Sequence, residues 1–155
     1  GSVWCEVAGG DIYFTGGEDE FGSSFNEVVQ VSWSSLSVTQ KVGMLSVRAY
    51  HRCVYDENYL YVIGGTGEWS RECERLSVSE ERWEALPPLP RGCYHISVIV
   101  LKEFQSLYAL GGYDGGYLAI IQRLSLRWLE WDGMPLRLPN AALHVACFKL
   151  DESKL

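Results

Sequence analysis

Histidine is the side chain best suited to move protons or hold a metal near neutral pH, and this chain has three: His51, His95 and His144. Two of them follow a tyrosine, as Tyr50-His51 and Tyr94-His95. Five cysteines (Cys5, Cys53, Cys73, Cys93 and Cys147) stand far apart with no C-x-x-C pair, which is neither zinc-ligand spacing nor a disulfide framework. The odd count, with no N-x-S/T sequon at Asn26, Asn58 or Asn140, points to a reducing intracellular compartment, the cytoplasm. The acidic run Glu18-Asp19-Glu20 lacks the alternating acids and closing glutamate of a calcium loop and reads as a solvated loop. No H-E-x-x-H, G-x-S-x-G, P-loop or G-x-G-x-x-G occurs, so metallopeptidase, hydrolase and nucleotide chemistry have no anchor. The expectation is a chain without catalytic residues, metal or cofactor.

Composition narrows the partners. A formal net charge of -7 with only four lysines repels phosphate backbones and acidic headgroups, so neither nucleic acid nor a membrane surface is an expected partner. The longest nearly unbroken apolar run, Ile96 to Leu101, falls far short of the roughly 20 residues a spanning helix needs. No charged-then-apolar leader opens the sequence, which reads as soluble and unprocessed. A hydrophobic content of 47% is enough to bury a core.

The elements that position the tyrosines and histidines repeat along the chain. Ile12-Tyr13-Phe14-Thr15-Gly16-Gly17, Leu60-Tyr61-Val62-Ile63-Gly64-Gly65 and Leu107-Tyr108-Ala109-Leu110-Gly111-Gly112 match column by column. Each is an apolar residue, a tyrosine, two strand-compatible residues and a glycine pair, which permits a tight exit from a strand. Strand-like runs precede them at Val3 to Val7, Arg52 to Tyr55 and Ile96 to Leu101, joined through turn-prone residues as hairpins. Third strands follow at Val28 to Ser32, Arg75 to Val78 and Arg123 to Leu126, and fourth strands at Arg82 to Leu86 and around Trp128 to Trp131. Gly43-Met44, Pro88-Leu89 and Gly133-Met134 close the units.

At these residues the sequence resembles the kelch family over nearly its whole length. The glycine pairs, the later Trp83, and an arginine shortly before each next unit (Arg48, Arg91, Arg137) fit that family's repeat. The first unit departs from it, since no tryptophan stands where Trp83 does; Val38 is nearest, and Trp33 is misplaced. The resemblance implies an all-β fold, a partial kelch-type β-propeller of about three four-stranded antiparallel blades plus one extra strand. Within a single segment, 1–155, blade 1 covers about 3–42, blade 2 about 51–87, blade 3 about 95–133, and a further blade starts at about 143–150. Closed propellers have at least about four blades, so the chain is expected to be part of a longer one or to self-associate to complete the ring. The resemblance also implies a non-catalytic protein-interaction module, as in kelch substrate adaptors and cytoskeletal scaffolds. The alternative that family offers, a metal-dependent oxidase or small-molecule-modifying enzyme, finds no matching ligand pattern here.

With strand A innermost, as the resemblance implies, antiparallel order puts the B–C and D–A connections on one face. The B–C connections bring Glu18, Asp19, Glu20, Phe21, Glu68, Trp69, Arg71, Tyr113, Asp114 and Tyr117 there. The D–A connections bring Arg48, Tyr50, His51, Arg91, Tyr94 and His95, with Asn140 and His144 beyond. Aromatics and arginines on rigidly held loops are what protein recognition uses, so these positions are the candidate partner-binding residues. Arg48 and Arg91, taken as equivalent, would suit an acidic peptide, or else brace adjacent blades. One histidine per blade, with inner strands about 10 Å apart, does not converge on a metal held at about 2 Å. Tyr13, Tyr61 and Tyr108 are expected to pack between blades with their hydroxyls reaching the backbone, and Cys5, Cys53 and Cys147 to fill similar places in packed strands.

Overall fold

The computed structural model describes residues 2–66 and 71–141. Its strands form three four-stranded antiparallel sheets, each a meander of consecutive neighbours. The first contains β1 (Val3–Glu6), β2 (Ile12–Glu18), β3 (Ser24–Ser32) and β4 (Ser37–Lys41). The second contains β5 (Arg52–Tyr55), β6 (Tyr59–Ile63), β7 (Cys73–Ser77) and β8 (Arg82–Leu86), and the third β9 (Ser97–Leu101), β10 (Ser106–Leu110), β11 (Ile120–Ser125) and β12 (Glu130–Arg137). No α-helix occurs among the described residues, and so none long and apolar enough to cross a membrane. Neighbouring sheets approach through their first strands, β1 beside β5 and β5 beside β9, which makes the first strand of each blade innermost.

Side chains alternate between the faces of a strand, and each seam between blades is filled by the facing halves of two alternations. Cys5, Tyr13 and Val28 of blade 1 meet Cys53, Leu60, Val62, Leu76 and Trp83 of blade 2 in one core. Tyr61, Ile63 and Cys73 meet Leu107, Ala109 and Leu124 in the next. Blade 2 is therefore buried on both faces, which explains the unbroken apolar run Leu60-Tyr61-Val62-Ile63.

The glycine pairs are required by both backbone and space. Gly16, Gly17, Gly64, Gly65, Gly111 and Gly112 all have positive φ, from 53° to 131°. A Cβ on Gly16 would stand 2.4 Å from the carbonyl oxygen of Arg48, and one on Gly64 2.6 Å from that of Cys93. The pair thus lets the connection entering the following blade run against the strand exit, and Gly17 N donates to Arg48 O at 2.9 Å.

Several boundaries differ from those expected. β3 begins at Ser24 rather than Val28, because β2 continues through its glycines to Glu18 and pairs there across a bulge. β12 starts at Glu130 and runs on through Gly133-Met134 instead of closing at them. Blade 1 has a fourth strand despite lacking the tryptophan, with Val38 opposite Val31 just as Trp83 lies opposite Leu76. Tyr13 and Tyr61 are buried at the seams, whereas Tyr108 is only half-buried, and the Tyr61 hydroxyl reaches Asp56 Oδ2 at 3.1 Å rather than the backbone. Cys5 and Cys53 are not equivalent: Cys5 is opposite Tyr13 and Cys53 opposite Val62, so they face each other from two sides of one seam. The expected further strand at 143–150, with His144 and Cys147, lies outside the described residues.

Candidate functional site

The connection into each blade is fixed by a repeated set of hydrogen bonds, and these set which residues correspond. Met44 N donates to Asn26 O and Leu89 N to Arg71 O; Thr66 N donates to Ala49 O and Tyr113 N to Tyr94 O. Arg48 O and Cys93 O receive the amides of Gly17 and Gly65. Tyr50 therefore corresponds to His95, each with φ 54°, and Arg48 to Cys93. The two Tyr-His pairs and the arginines Arg48 and Arg91 are not equivalent pairs, because the two connections carry their side chains in different register.

Arg48 is enclosed. It is 1% exposed, its Nη2 lies 2.5 Å from Glu74 Oε1, and its Nη1 donates to the carbonyl oxygens of Gly64 and Glu72. Glu74 also accepts from Leu45 N at 2.7 Å. Burial lowers the arginine's pKa and raises the carboxyl's, and each charge pulls the other back. The Arg48 guanidinium is thus engaged by blade 2, while its backbone N donates to Phe25 O and its O accepts from Gly17 N of blade 1. In blade 3 the position of Glu74 is held by Gln122, which accepts from Arg91 N at 2.8 Å and donates to Arg91 O at 3.1 Å. The side chain of Arg91 itself stays exposed and pairs with Asp114 at 2.6 Å.

His51 is also interior. Its Nε2 is 2.8 Å from Thr15 Oγ1, whose hydroxyl reaches Val3 O at 3.3 Å, so Nε2 carries the proton and Thr15 passes the bond on. Burial first, then the charges of Arg48 and Arg52, lower its pKa to about 3.

Five of the remaining candidates come together as one row of rings. Tyr50 and His95 meet at 4.9 Å between centroids, His95 and Tyr94 at 5.0 Å, Tyr94 and Tyr113 at 5.4 Å, and Tyr113 and Tyr117 at 5.6 Å. Antiparallel bridges Tyr94–Tyr113 and Tyr113–Tyr117 hold the backbone beneath them, and His95 N donates to Tyr50 O at 3.1 Å. At one end the Tyr50 hydroxyl donates to Glu18, which raises the hydroxyl's pKa; at the other, Tyr117 is 64% exposed. A groove of about 510 Å³ opens beside the row between the inner strands, lined in part by Trp4, Tyr50, His51, Arg52 and His95. Arg71 is exposed, and its Nε donates to Leu89 O, the part Asn26 plays toward Met44 O one blade earlier. Trp69 and Glu68 lie outside the described residues. Glu74 and Gln122 escaped the sequence reading, although a carboxylate or amide in mid-strand was the available signal.

Three meandering sheets packed face to face, innermost strand first, with glycine pairs seating each incoming connection, are blades of a β-propeller. The blades are kelch repeats. The Kelch motif model matches residues 48–90. A kelch repeat-containing protein of Dictyostelium discoideum is 31% identical over 139 residues, covering 82% of this chain and 20% of that protein. Kelch-like protein 38 of Rattus norvegicus is 35% identical over 74 residues, and that of Mus musculus 36% over 86; these cover 46% and 52% of this chain and 12% and 14% of theirs. The chain thus spans a fifth or less of the length of these relatives.

Proposed function

We propose that this chain is a non-catalytic, protein-binding segment of a longer kelch propeller, acting inside the cell as part of an adaptor or scaffold. The row Tyr50, His95, Tyr94, Tyr113 and Tyr117 is the observation that carries this reading. Tyrosines offer large contact area with few rotatable bonds, and paired backbones already fix these. A peptide laid along the row would bury ring edges and reach the groove beside Trp4, with Arg91 and Asp114 at the margin. With Arg48 enclosed and Arg91 already paired, the face does not offer the two free guanidiniums that an acidic peptide would use.

The test is a titration of the partner recovered with the parent protein, against wild type, Tyr113→Ala and the double change Glu80→Ala, Glu81→Ala on the turn between β7 and β8. Tyr113→Ala should weaken binding by about thirtyfold, the measure of about 2 kcal/mol, and the double change should leave it intact. The reverse pattern would place the partner on the other face.

A further inference from the structure

On the opposite edge of the sheets, between blades 2 and 3, lies a second groove of about 550 Å³. It forms where the turns β5–β6, β9–β10 and β11–β12 meet. Tyr59, Tyr61, Val100 and Leu126 supply its apolar lining, and Arg75, Lys102 and Arg127 its cations. The corresponding place at the first seam carries different side chains. By register Val100 corresponds to Tyr55, since Val100 lies opposite Leu107 and Tyr55 opposite Leu60. The Tyr55 ring packs against the first core, and its hydroxyl donates to Glu57 O at 2.9 Å. Where Arg75 stacks on Tyr59 at 4.2 Å in blade 2, the matching residues of blade 1, Gln30 and Asp11, hydrogen-bond to each other at 2.6 Å. The second seam thus has a valine where the first has a tyrosine, and an arginine where the first has a glutamine.

The groove's own acids are already engaged. Asp56 accepts from the amides of Asn58 and Tyr59 and from the Tyr61 hydroxyl, and Glu57 is paired with Lys102 at 2.8 Å. Arg75 is held by Glu84 at 2.9 Å, whereas Arg127 lies over the Trp128 ring and forms no ion pair among the described residues. A groove of mixed lining, with Val100 and Leu126 beside two guanidiniums, is matched by an anionic group carried beside an aliphatic one.

We propose that the groove between blades 2 and 3 is a second peptide-docking site, which takes a segment presenting a glutamate or aspartate next to an aliphatic residue. The aliphatic side chain enters over Val100 and Leu126, and the carboxylate meets Arg127 and the edge of Arg75. This site shares no residue with the tyrosine row, so either stands or falls alone.

The probe is a fluorescein-labelled peptide with two Glu-Leu pairs set in Gly and Ser, compared with the same peptide carrying Lys-Leu pairs, with polarisation as the readout. Wild type should bind the Glu-Leu peptide saturably and the Lys-Leu peptide not at all. Val100→Tyr, which places in the groove the larger side chain of the first seam, and Arg127→Glu at the surface should each weaken binding by at least about tenfold, while Tyr113→Ala leaves it unchanged. Circular dichroism checks that Val100→Tyr folds, and Arg127→Glu carries the test alone if it does not. Equal binding of both peptides, no saturable binding, or wild-type affinity in Arg127→Glu overturns the proposal.

Discussion

The indole nitrogen of Trp83 donates to the carbonyl oxygen of Val42, 3.0 Å away in the connection leaving the preceding blade. Trp131 repeats this one blade later, donating to Pro87 O at 2.7 Å. The kelch tryptophan is therefore a latch between blades as well as a core residue. Val38, at the same register in blade 1, has no such donor and is 72% exposed, with no blade described against that face.

Trp83→Phe keeps most of the packing and loses the latch. It should lower stability to urea by about 1 kcal/mol, the worth of one net hydrogen bond. Trp83→Ala, which also empties a buried site, should cost about 3–5 kcal/mol. If phenylalanine costs as much as alanine, the hydrogen bond rather than the ring dominates the seam.

Tyr61 gives a second measure of the seam. It is 2% exposed, and its hydroxyl is bonded to Asp56, which also organises the β5–β6 turn. Tyr61→Ala should cost about 3 kcal/mol and Tyr61→Phe about 1 kcal/mol. Equilibrium denaturation of both variants checks this, and unchanged midpoints would mean that the residue is not buried in solution.

The blades were legible in the sequence because their strongest constraint leaves a compositional mark. Only glycine fits both the positive φ and the 2.4 Å approach of Arg48 O at Gly16, so the pairs recur in fixed register. The connections into the blades were not legible at that level. Their register is set by carbonyl groups, those of Arg48 and Cys93, which leave no side-chain trace, so two Tyr-His pairs that look alike fall at different places. The residues of the tyrosine row are readable in the sequence as loop residues of one face, but the row's continuity depends on Tyr50 and His95 being the true counterparts. The sequence leaves Arg48 open between a partner-binding arginine and a brace, because its partner Glu74 comes from a distant strand of the next blade.

His51 makes the fold sensitive to acid. Its pKa is about 3 in the folded chain against about 6.5 when unfolded. Between those values the unfolded chain binds the extra proton, so stability is full above about pH 6.5 and falls as pH drops toward 3. From pH 7 to pH 5 the loss should be about 2 kcal/mol. Glu74, raised by burial, works in the opposite direction, so the comparison that isolates the histidine is wild type against His51→Gln. The variant should show a flatter dependence of urea midpoint on pH, and an unchanged slope would assign the acid sensitivity elsewhere.

Arg48 and Arg91 look alike in sequence, yet they should respond in opposite ways to the same change. Arg48→Ala leaves the Glu74 carboxylate buried without its counter-charge, and removing one partner of such a pair costs about 3–5 kcal/mol. The Arg91 side chain is 55% exposed and its partner Asp114 24%. Surface pairs of this kind contribute at most about 1 kcal/mol, and the bonds that brace blade 3 run from the Arg91 backbone to Gln122 and survive truncation of the side chain. Arg91→Ala should therefore leave the unfolding midpoint nearly unchanged while weakening a partner docked on the tyrosine row, next to which it sits through Asp114. Arg48→Ala should lower the midpoint sharply, and any loss of binding should vanish once affinity is corrected for the folded fraction. Denaturation curves and partner titrations on the two variants separate the roles: a large midpoint drop in Arg91→Ala would make it a brace, and intact stability in Arg48→Ala would mean that its guanidinium is not enclosed in solution.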